Sequence, residues 1–550
     1  MRTVTYDIHK GMARGNALNQ DPEFLWDIKN GYINKENDIQ QRSGIAKQNA
    51  VAIYGTPTVT YMTELDWGDG TRAIICKAGT SWWIYDATPY QGVCTANTAY
   101  KLINSGAAFT SRDVGKLVTN TTDSTSARVT AYVSATELTL AASIMDTVGD
   151  AYTIAAGYGE LVGSRTAGTR GQAVMFETNA TTGKIAILFD GGKPQKVTSA
   201  YVVTDLGGSP PTDATCGWVH NGHVVMNNPG NPGRIIVSAL NNPEDYTSLT
   251  PIDALVIELN FRIPNGDKFI GIRSYTEDII MFIGEKQVVL FNAPGDCNDW
   301  NLMQIIPMSC VTNYGLEQRG NQYIIPTQTG IDTMSSLVAN REIPTDDMTR
   351  NVAAYYQASM ASVTSSAWDT ISGVYDRVLD LYYLCFPIAA GYEILVYSFL
   401  WGQVVGRYTG ITANAFCRKN DGTILIGSLN GQCYTMNSGT TDDGTAISFA
   451  ITPPFYYMRR KGSYKQVREM RITVEHSGAW GLAIPYVWDT QAGATLTKTI
   501  ASASLGRTII KVSDILGRGF GLQAPIQNAS SGIIINVTQW EFDVVDEGKK

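Results

Sequence analysis

The sequence predicts an all-β protein, a β-propeller that carries an inserted small β-module and a C-terminal β-domain. Three observations lead there. Asn-Gly or Asp-Gly pairs occur eight times, at Asn30-Gly31, Asp69-Gly70, Asp190-Gly191, Asn221-Gly222, Asn265-Gly266, Asp421-Gly422, Asn430-Gly431 and Asp443-Gly444. Each is a hairpin signal, because a tight turn needs positive φ at its central residues. Strand-turn units recur between 160 and 450 at roughly 40 to 50 residues, the period of propeller blades. Composition agrees, with abundant glycine (53), little charge (17%), and Tyr (28) and Trp (11) well in excess of Phe (15).

Residues 1–50 are polar and turn-rich, with one amphipathic piece around Phe24, Leu25, Trp26 and Ile28, and read as an N-terminal arm. From 51 to 92, two apolar runs flank Asp69-Gly70, with Ile74, Ile75, Trp82, Trp83 and Ile84 as core candidates, which is half of a four-stranded unit. Between 93 and 155 the texture changes to Thr, Ser, Ala and Val in short alternating strands, such as Ala127 to Val133 and Ala151 to Ile154. That predicts a compact inserted module. Blade texture resumes from 156 to 452, so that 51–92 and 156–452 form one propeller. Two of its units end in similar turns, Asn242-Pro243-Glu244-Asp245-Tyr246 and the segment from Ala293-Pro294 to Trp300, which suggests a repeat. One helix is predicted from Asp346 to about Ser362, capped by Thr345 or Asp346. After Pro453-Pro454 the remainder, 453–550, reads as a separate C-terminal β-domain.

Charge and cysteine usage narrow the function classes. A net charge of −8 gives no global attraction to nucleic acid. The eight cysteines are scattered without a Cys-x-x-Cys pair, so buried reduced thiols are expected rather than zinc ligands. The start lacks a signal-peptide core, and the longest apolar stretch, Tyr392 to Trp401, is about half a membrane span. The chain is therefore expected to fold in a cytoplasm without membrane insertion.

Tests for chemistry find no phosphate loop, no His-Glu-x-x-His pair and no Gly-x-Ser-x-Gly elbow. His220 and His223 flank Asn221-Gly222; paired imidazoles can bind a metal, but a two-residue hairpin places them opposite each other, where cross-strand packing accounts for them. Asp66 with Asp69, Asp296 with Asp299, Asp346-Asp347 and Asp442-Asp443 have the makings of glycosidase pairs, yet all sit in turn-like sequence where Asp bonds its own backbone. The sequence thus predicts no catalytic set, no cofactor and no metal. One segment stands out: Arg459, Arg460, Lys461, Lys465, Arg468 and Arg471 are interleaved with Tyr456, Tyr457 and Tyr464. It reads as a solvated strand, a contact with a subunit or an acidic neighbour, or a grip on phosphate.

The stretch from Leu18 to Gly44, with Asn30-Gly31-Tyr32, Lys35-Glu36-Asn37-Asp38-Ile39 and Arg42-Ser43-Gly44, resembles the leading segment of the tail nozzle, or tail hub, proteins of short-tailed bacteriophages. Ser43 stands where that family has proline. Tyr275 to Phe291 with Trp300, Gln322 to Ser335, and Tyr456 to Val474 resemble further segments of the same family in the same order. Val114-Gly115-Lys116, Thr122-Asp123 and Gly149-Asp150-Ala151-Tyr152 resemble a small β-module found in phage virion proteins. The resemblance implies a structural virion protein, a homo-oligomeric ring of six copies at the distal end of the tail. Its partners would be a tail adaptor and tail fibre or needle proteins, with genomic DNA passing through transiently and no enzyme activity. A tail-tip adhesin or glycan-binding propeller, or a cell-wall glycan hydrolase, are the alternatives.

Overall fold

The computed structural model describes residues 2–6, 10–14, 21–163, 165, 170–178, 183–247, 254–259, 267–335, 345–389, 391–458, 463–489, 491–500, 506–513, 515–528, 530 and 533–548. Two compact units emerge. One comprises 47–314 and 414–434; the other comprises 1–46, 315–413 and 435–550.

The first unit is a series of four-stranded antiparallel meanders. The first is Val59–Asp66, Arg72–Ala78, Ser81–Asp86 and Gly157–Val162; the second Gln172–Glu177, Lys184–Phe189, Gln195–Thr198 and Val203–Asp205. The third is Gly217–His220, His223–Asn227, Arg234–Val237 and Leu255–Glu258, and the fourth is Phe269–Ser274, Ile279–Gly284, Val288–Asn292 and Asn301–Ile306. A last sheet runs Ala415–Arg418, Ile424–Gly427, Cys433–Thr435 and takes Ala46–Lys47 as its outer strand.

The strand His223–Asn227 shows why such sequences stack. Successive side chains of a strand point to opposite faces. Val224 and Met226 join Phe176, Ile187 and Phe189 of the second meander, whereas Val225 joins Ile272 and Phe282 of the fourth. Both faces are covered, so the whole strand is buried, with Val224-Val225-Met226 apolar at its centre and His223 and Asn227 at its ends. The same holds around the first meander, where Trp82 and Ile84 pack on Leu188 and Val197, while Cys76 and Trp83 pack with Cys417 and Leu425. Fully burying each such side chain contributes about 1.5–3 kcal/mol.

Residues 90–154 form a sheet of their own between the third and fourth strands of the first meander. Its order is Lys101–Ile103, Glu137–Leu140, Thr125–Ser134, Leu117–Asn120, Ala151–Ile154, Tyr90–Val93, over a core of Leu102, Val118, Leu138 and Tyr152. The strands on either side of the insertion pair directly, Gly157 opposite Asp86. The repeat suspected in the two proline-containing turns has a common bond: the Tyr246 hydroxyl donates to the Pro243 carbonyl at 2.6 Å, and the Trp300 indole N–H donates to the Pro294 carbonyl at 2.7 Å.

The second unit departs from the sequence-based domain map. Residues 1–50 are no free arm. Arg2–Tyr6 pairs with the strand Ile535–Gly548, and Asp27–Lys29 lies between Gln403–Thr409 and Phe449–Thr452 inside a ten-stranded sheet. Nor is 453–550 separate, because Trp480–Trp488 and Ile526–Asn528 continue that sheet, which begins with Ser372–Asp376. The expected propeller of 51–92 and 156–452 is accordingly divided between the two units at 314 and again near 413 and 434. Partners hundreds of residues apart leave no local period to read. The helix also differs. Thr345–Asp347 is a strand, a 3-10 turn follows at Arg350–Val352, and the α-helix is Ala353–Ala361.

Of the eight expected turns, two are two-residue hairpins with positive φ at both positions, Asn221-Gly222 and Asp443-Gly444. Asn265-Gly266 lies outside the described residues. Asn30 instead has φ 55° and links the strands Asp27–Lys29 and Gly31–Ile33, which belong to different sheets.

Candidate functional site

Two of the six cations of the basic segment, Lys465 and Arg471, help to hold the second unit together. Tyr456 is fully buried and stacks on Tyr6 with ring centres 4.0 Å apart, and burial drives its phenol well above the usual range. Lys465 is 1% exposed, its ammonium donating to the carbonyls of Ser463 at 2.9 Å and Phe520 at 3.3 Å. Arg471, on the strand Tyr464–His476, bonds Glu541 at 3.0 Å, Asp543 at 2.7 Å and Glu469 at 3.2 Å. Burial disfavours its charge, but Glu541 and the other acids outweigh that and raise its pKa. Tyr464 packs on Phe520 at 4.4 Å and Tyr457 is half-buried. Arg468 faces solvent. Arg459, Arg460 and Lys461 lie outside the described residues. As contact residues, Tyr456 and Lys465 are therefore corrected: both are interior.

His220 and His223 are register partners across Asn221-Gly222. His220 meets the Ser274 hydroxyl at 2.8 Å and the Ala293 carbonyl at 3.0 Å; His223 meets the carbonyls of Ser238 at 2.6 Å and Gly295 at 3.0 Å. Each also lies edge-on to Trp300. Burial lowers the His220 pKa, opposed by the Ala293 carbonyl. With all four ring nitrogens facing protein oxygens, the pair is a packing element.

The acid pairs are likewise structural. Asp66 accepts from the Gly68 amide and from Arg72, Asp69 from Thr71, and Asp296 from the Asn298 amide. Asp347 accepts from Thr349 at 2.7 Å. Asp442 takes a two-pronged bond from Arg42, at 2.7 and 2.5 Å, and that guanidinium is 1% exposed. Nothing is described of the Asp346 side chain.

The feature that sequence reasoning missed is a cleft of about 660 Å³ in the first unit, where the inserted module meets the first meander. The linker from Asp86 to Tyr90 forms one wall and the 3-10 turn Ser111–Asp113 another. The turn is seated by a close approach: a Cβ at Gly159 would lie 1.5 Å from the Arg112 carbonyl oxygen. Lys116, whose side chain is 5% exposed, bonds Asp86 at 2.8 Å and Asp113 at 3.0 Å. Burial raises the Asp86 pKa, but Lys116 more than offsets it and the carboxyl stays below its usual range. The Arg112 guanidinium stacks over the Tyr201 ring at 4.5 Å. The run Arg112-Asp113-Val114-Gly115-Lys116 clusters charge within the module, but nothing in the sequence places it beside Asp86 or Tyr201. Elsewhere in the module, Asp123, Asp146 and Asp150 bring carboxylate oxygens within 4.8 Å of one another, and the Asn120 amide donates to Asp123 and Asp150.

No family model matches the chain, and no curated protein matches it. Solved structures do. A chain of the mitotic checkpoint complex is similar at 6% identity and TM-score 0.39, over 72% of this chain and 93% of that one. The Cps50 (Swd1) β-propeller domain of Myceliophteria thermophila is similar at 8% identity and TM-score 0.38, over 72% and 100%. An exo-β-1,3-galactanase from Phanerochaete chrysosporium, solved with galactose, is similar at 9% identity and TM-score 0.25, over 68% and 95%. The fold is all-β and propeller-like. Likeness this distant says nothing about activity.

Proposed function

We propose that this protein is a structural virion protein, the distal tail nozzle or hub of a short-tailed bacteriophage, which assembles as a ring and serves as conduit and gate for the leaving genome. The observation that carries the reading concerns the segment that bears the resemblance. Arg42, the arginine of that motif, is the residue that ties residues 30–44 to the distant turn at 442: it bonds Asn30 at 3.1 Å as well as Asp442. Gly44 is equally committed, since a Cβ there would meet the Thr441 carbonyl oxygen at 1.9 Å. The motif residues thus serve the scaffold itself, which is what a motif shared through architecture rather than chemistry requires. The sheet inserted at 90–154 also agrees with a virion module.

In this reading the protein catalyses nothing. Its acidic balance keeps the bore from gripping phosphate, because a basic lumen would bind the backbone through counterion release. Arg468, with Arg459, Arg460 and Lys461, faces an adaptor or a neighbouring copy, the six-copy ring being what the resemblance implies. No helix among the described residues is long and apolar enough to cross a membrane.

Negative-stain microscopy of the protein with the tail it belongs to tests the proposal. An axial ring is expected, and replacing Arg459, Arg460 and Lys461 with Ser should weaken its assembly most at low salt, where charge attraction is least screened. A monomer that binds surface polysaccharide favours the adhesin reading instead. Cell-wall turnover abolished by Asp296→Asn with Asp299→Asn favours the hydrolase.

A further inference from the structure

The cleft beside the inserted module has a definite charge balance. Its lining cations are Arg72, Arg112, Lys116 and Lys419, and its lining carboxylates are Glu64, Asp86 and Asp113. Most are already matched. Lys116 holds both Asp86 and Asp113, Arg72 holds Asp66 at 3.0 Å, and Lys419 holds Asp421 at 2.6 Å. Glu64 accepts the Asn420 amide at 2.6 Å. Arg112 differs, because it forms no ion pair or hydrogen bond with a described residue, and its guanidinium is held flat against Tyr201. The peptide behind it is fixed by the contact with Gly159. One preorganised guanidinium, close enough to Asp86 to stabilise its charge but bonded to no carboxylate, presents a planar fork of donors suited to one carboxylate. A phosphate ester, with nearly twice the charge, calls for more unmatched cations than the single one present.

The remaining walls suit a ring with hydroxyls. Tyr90 is 38% exposed, and its ring is braced edge-to-face by Phe109 at 5.9 Å. It also packs on Tyr152 at 6.1 Å, and the part of the ring that lines the cleft can pack against the apolar face of a sugar. Thr88 and Thr110 line the same space, which at about 660 Å³ falls within the range of small-molecule sites, roughly 300–1,000 Å³.

We propose that this cleft binds an acidic saccharide unit, with the carboxylate of a uronic acid on Arg112 and the pyranose ring against Tyr90. The proposal depends on the cleft alone. Ring assembly is read by microscopy and is expected to be unchanged in an Arg112 variant, so either idea can fail without the other.

Calorimetric titration of the full chain with uronate-containing disaccharides and their neutral parents is the test. The acidic sugars should bind at least tenfold more tightly than the neutral ones and weaken as salt rises. Arg112→Gln should remove that preference, and Tyr90→Ala should weaken acidic and neutral sugars alike by about fivefold or more. The melting temperature of each variant should match the parent, which separates lost recognition from lost folding. Equal affinity for acidic and neutral sugars, no binding by any uronate disaccharide, or tighter binding of inorganic phosphate would each overturn the proposal.

Discussion

The inserted module and the two ends of the second unit bury charge in opposite ways. In the module each strand from 90 to 154 pairs within the module, and its interior polar groups find partners within about thirty residues: Asn120 bonds Asp123, Asp150 and the Ile144 carbonyl, and Lys116 bonds Asp113 and, just outside the module, Asp86. In the second unit two ion pairs, one made by the buried Arg42 and one by the half-buried Arg407, span most of the chain. Arg42 meets Asp442, and Arg407 meets Asp27 with two bonds of 2.7 Å. The difference concerns register. A hairpin fixes its own register through its turn. Strands recruited from opposite ends have no such turn, and a two-pronged guanidinium-carboxylate bond, strict in geometry, supplies the alignment.

The largest effect should come from breaking the long-range kind. Arg42→Ala leaves the Asp442 carboxylate, with 13% side-chain exposure, without its two-pronged partner, at a cost of about 3–5 kcal/mol. Lys116→Ala leaves Asp86, whose side chain is 47% exposed and can rehydrate, and Asp113, which is 14% exposed but keeps the Thr110 amide at 2.8 Å, so thermal melts should show a smaller loss. Equal losses would erase the distinction.

A second expectation sharpens it further. Because Asp86 and Gly157 are opposite one another, replacing residues 87–156 by Asn-Gly should join the third and fourth strands by a tight hairpin. The product should melt cooperatively within a few degrees of the parent; an insoluble product would mean that the module is part of the scaffold's core.

Acid should act on the long-range pairs in turn. Burial raises the pKa of Asp27, but Arg407 and Arg14 overcome it and leave the carboxyl below its usual value. A folded pKa depressed in this way contributes stability that is present above the unfolded value, about 3.9, and is lost as pH falls through the folded value. Urea midpoints measured from pH 5 down to pH 3 should therefore fall less steeply for Asp27→Asn than for the parent. The smallest effect is expected at Arg468, exposed on its strand, where Ala should change stability by less than about 0.5 kcal/mol.

The same contrast governs what the sequence revealed. The change of texture at 93 and 155 lies within three residues of the module's sheet, since local pairing imprints itself on composition. The strand Asp27–Lys29 gave no such sign: three residues between a parallel and an antiparallel neighbour have too little length for a pattern. The helix start was misjudged because Asp347 caps the amide of Thr349 locally rather than opening a helix. The cleft was illegible for a related reason. Arg112 and Tyr201 are neighbours only after folding, and neither carries a recognisable motif.

Pairing of Arg2–Tyr6 with residues 540–544 also has a consequence in time. On a ribosome that adds about 5–20 residues per second, the first strand emerges roughly half a minute to nearly two minutes before its partner exists. During that interval the module at 90–154 has every partner it needs and can close, while the opening strand waits with an unpaired edge, the kind of surface that invites aggregation. A chaperone that shields nascent chains would find its work on this protein at the strand Arg2–Tyr6, until residues 540–544 emerge to pair with it.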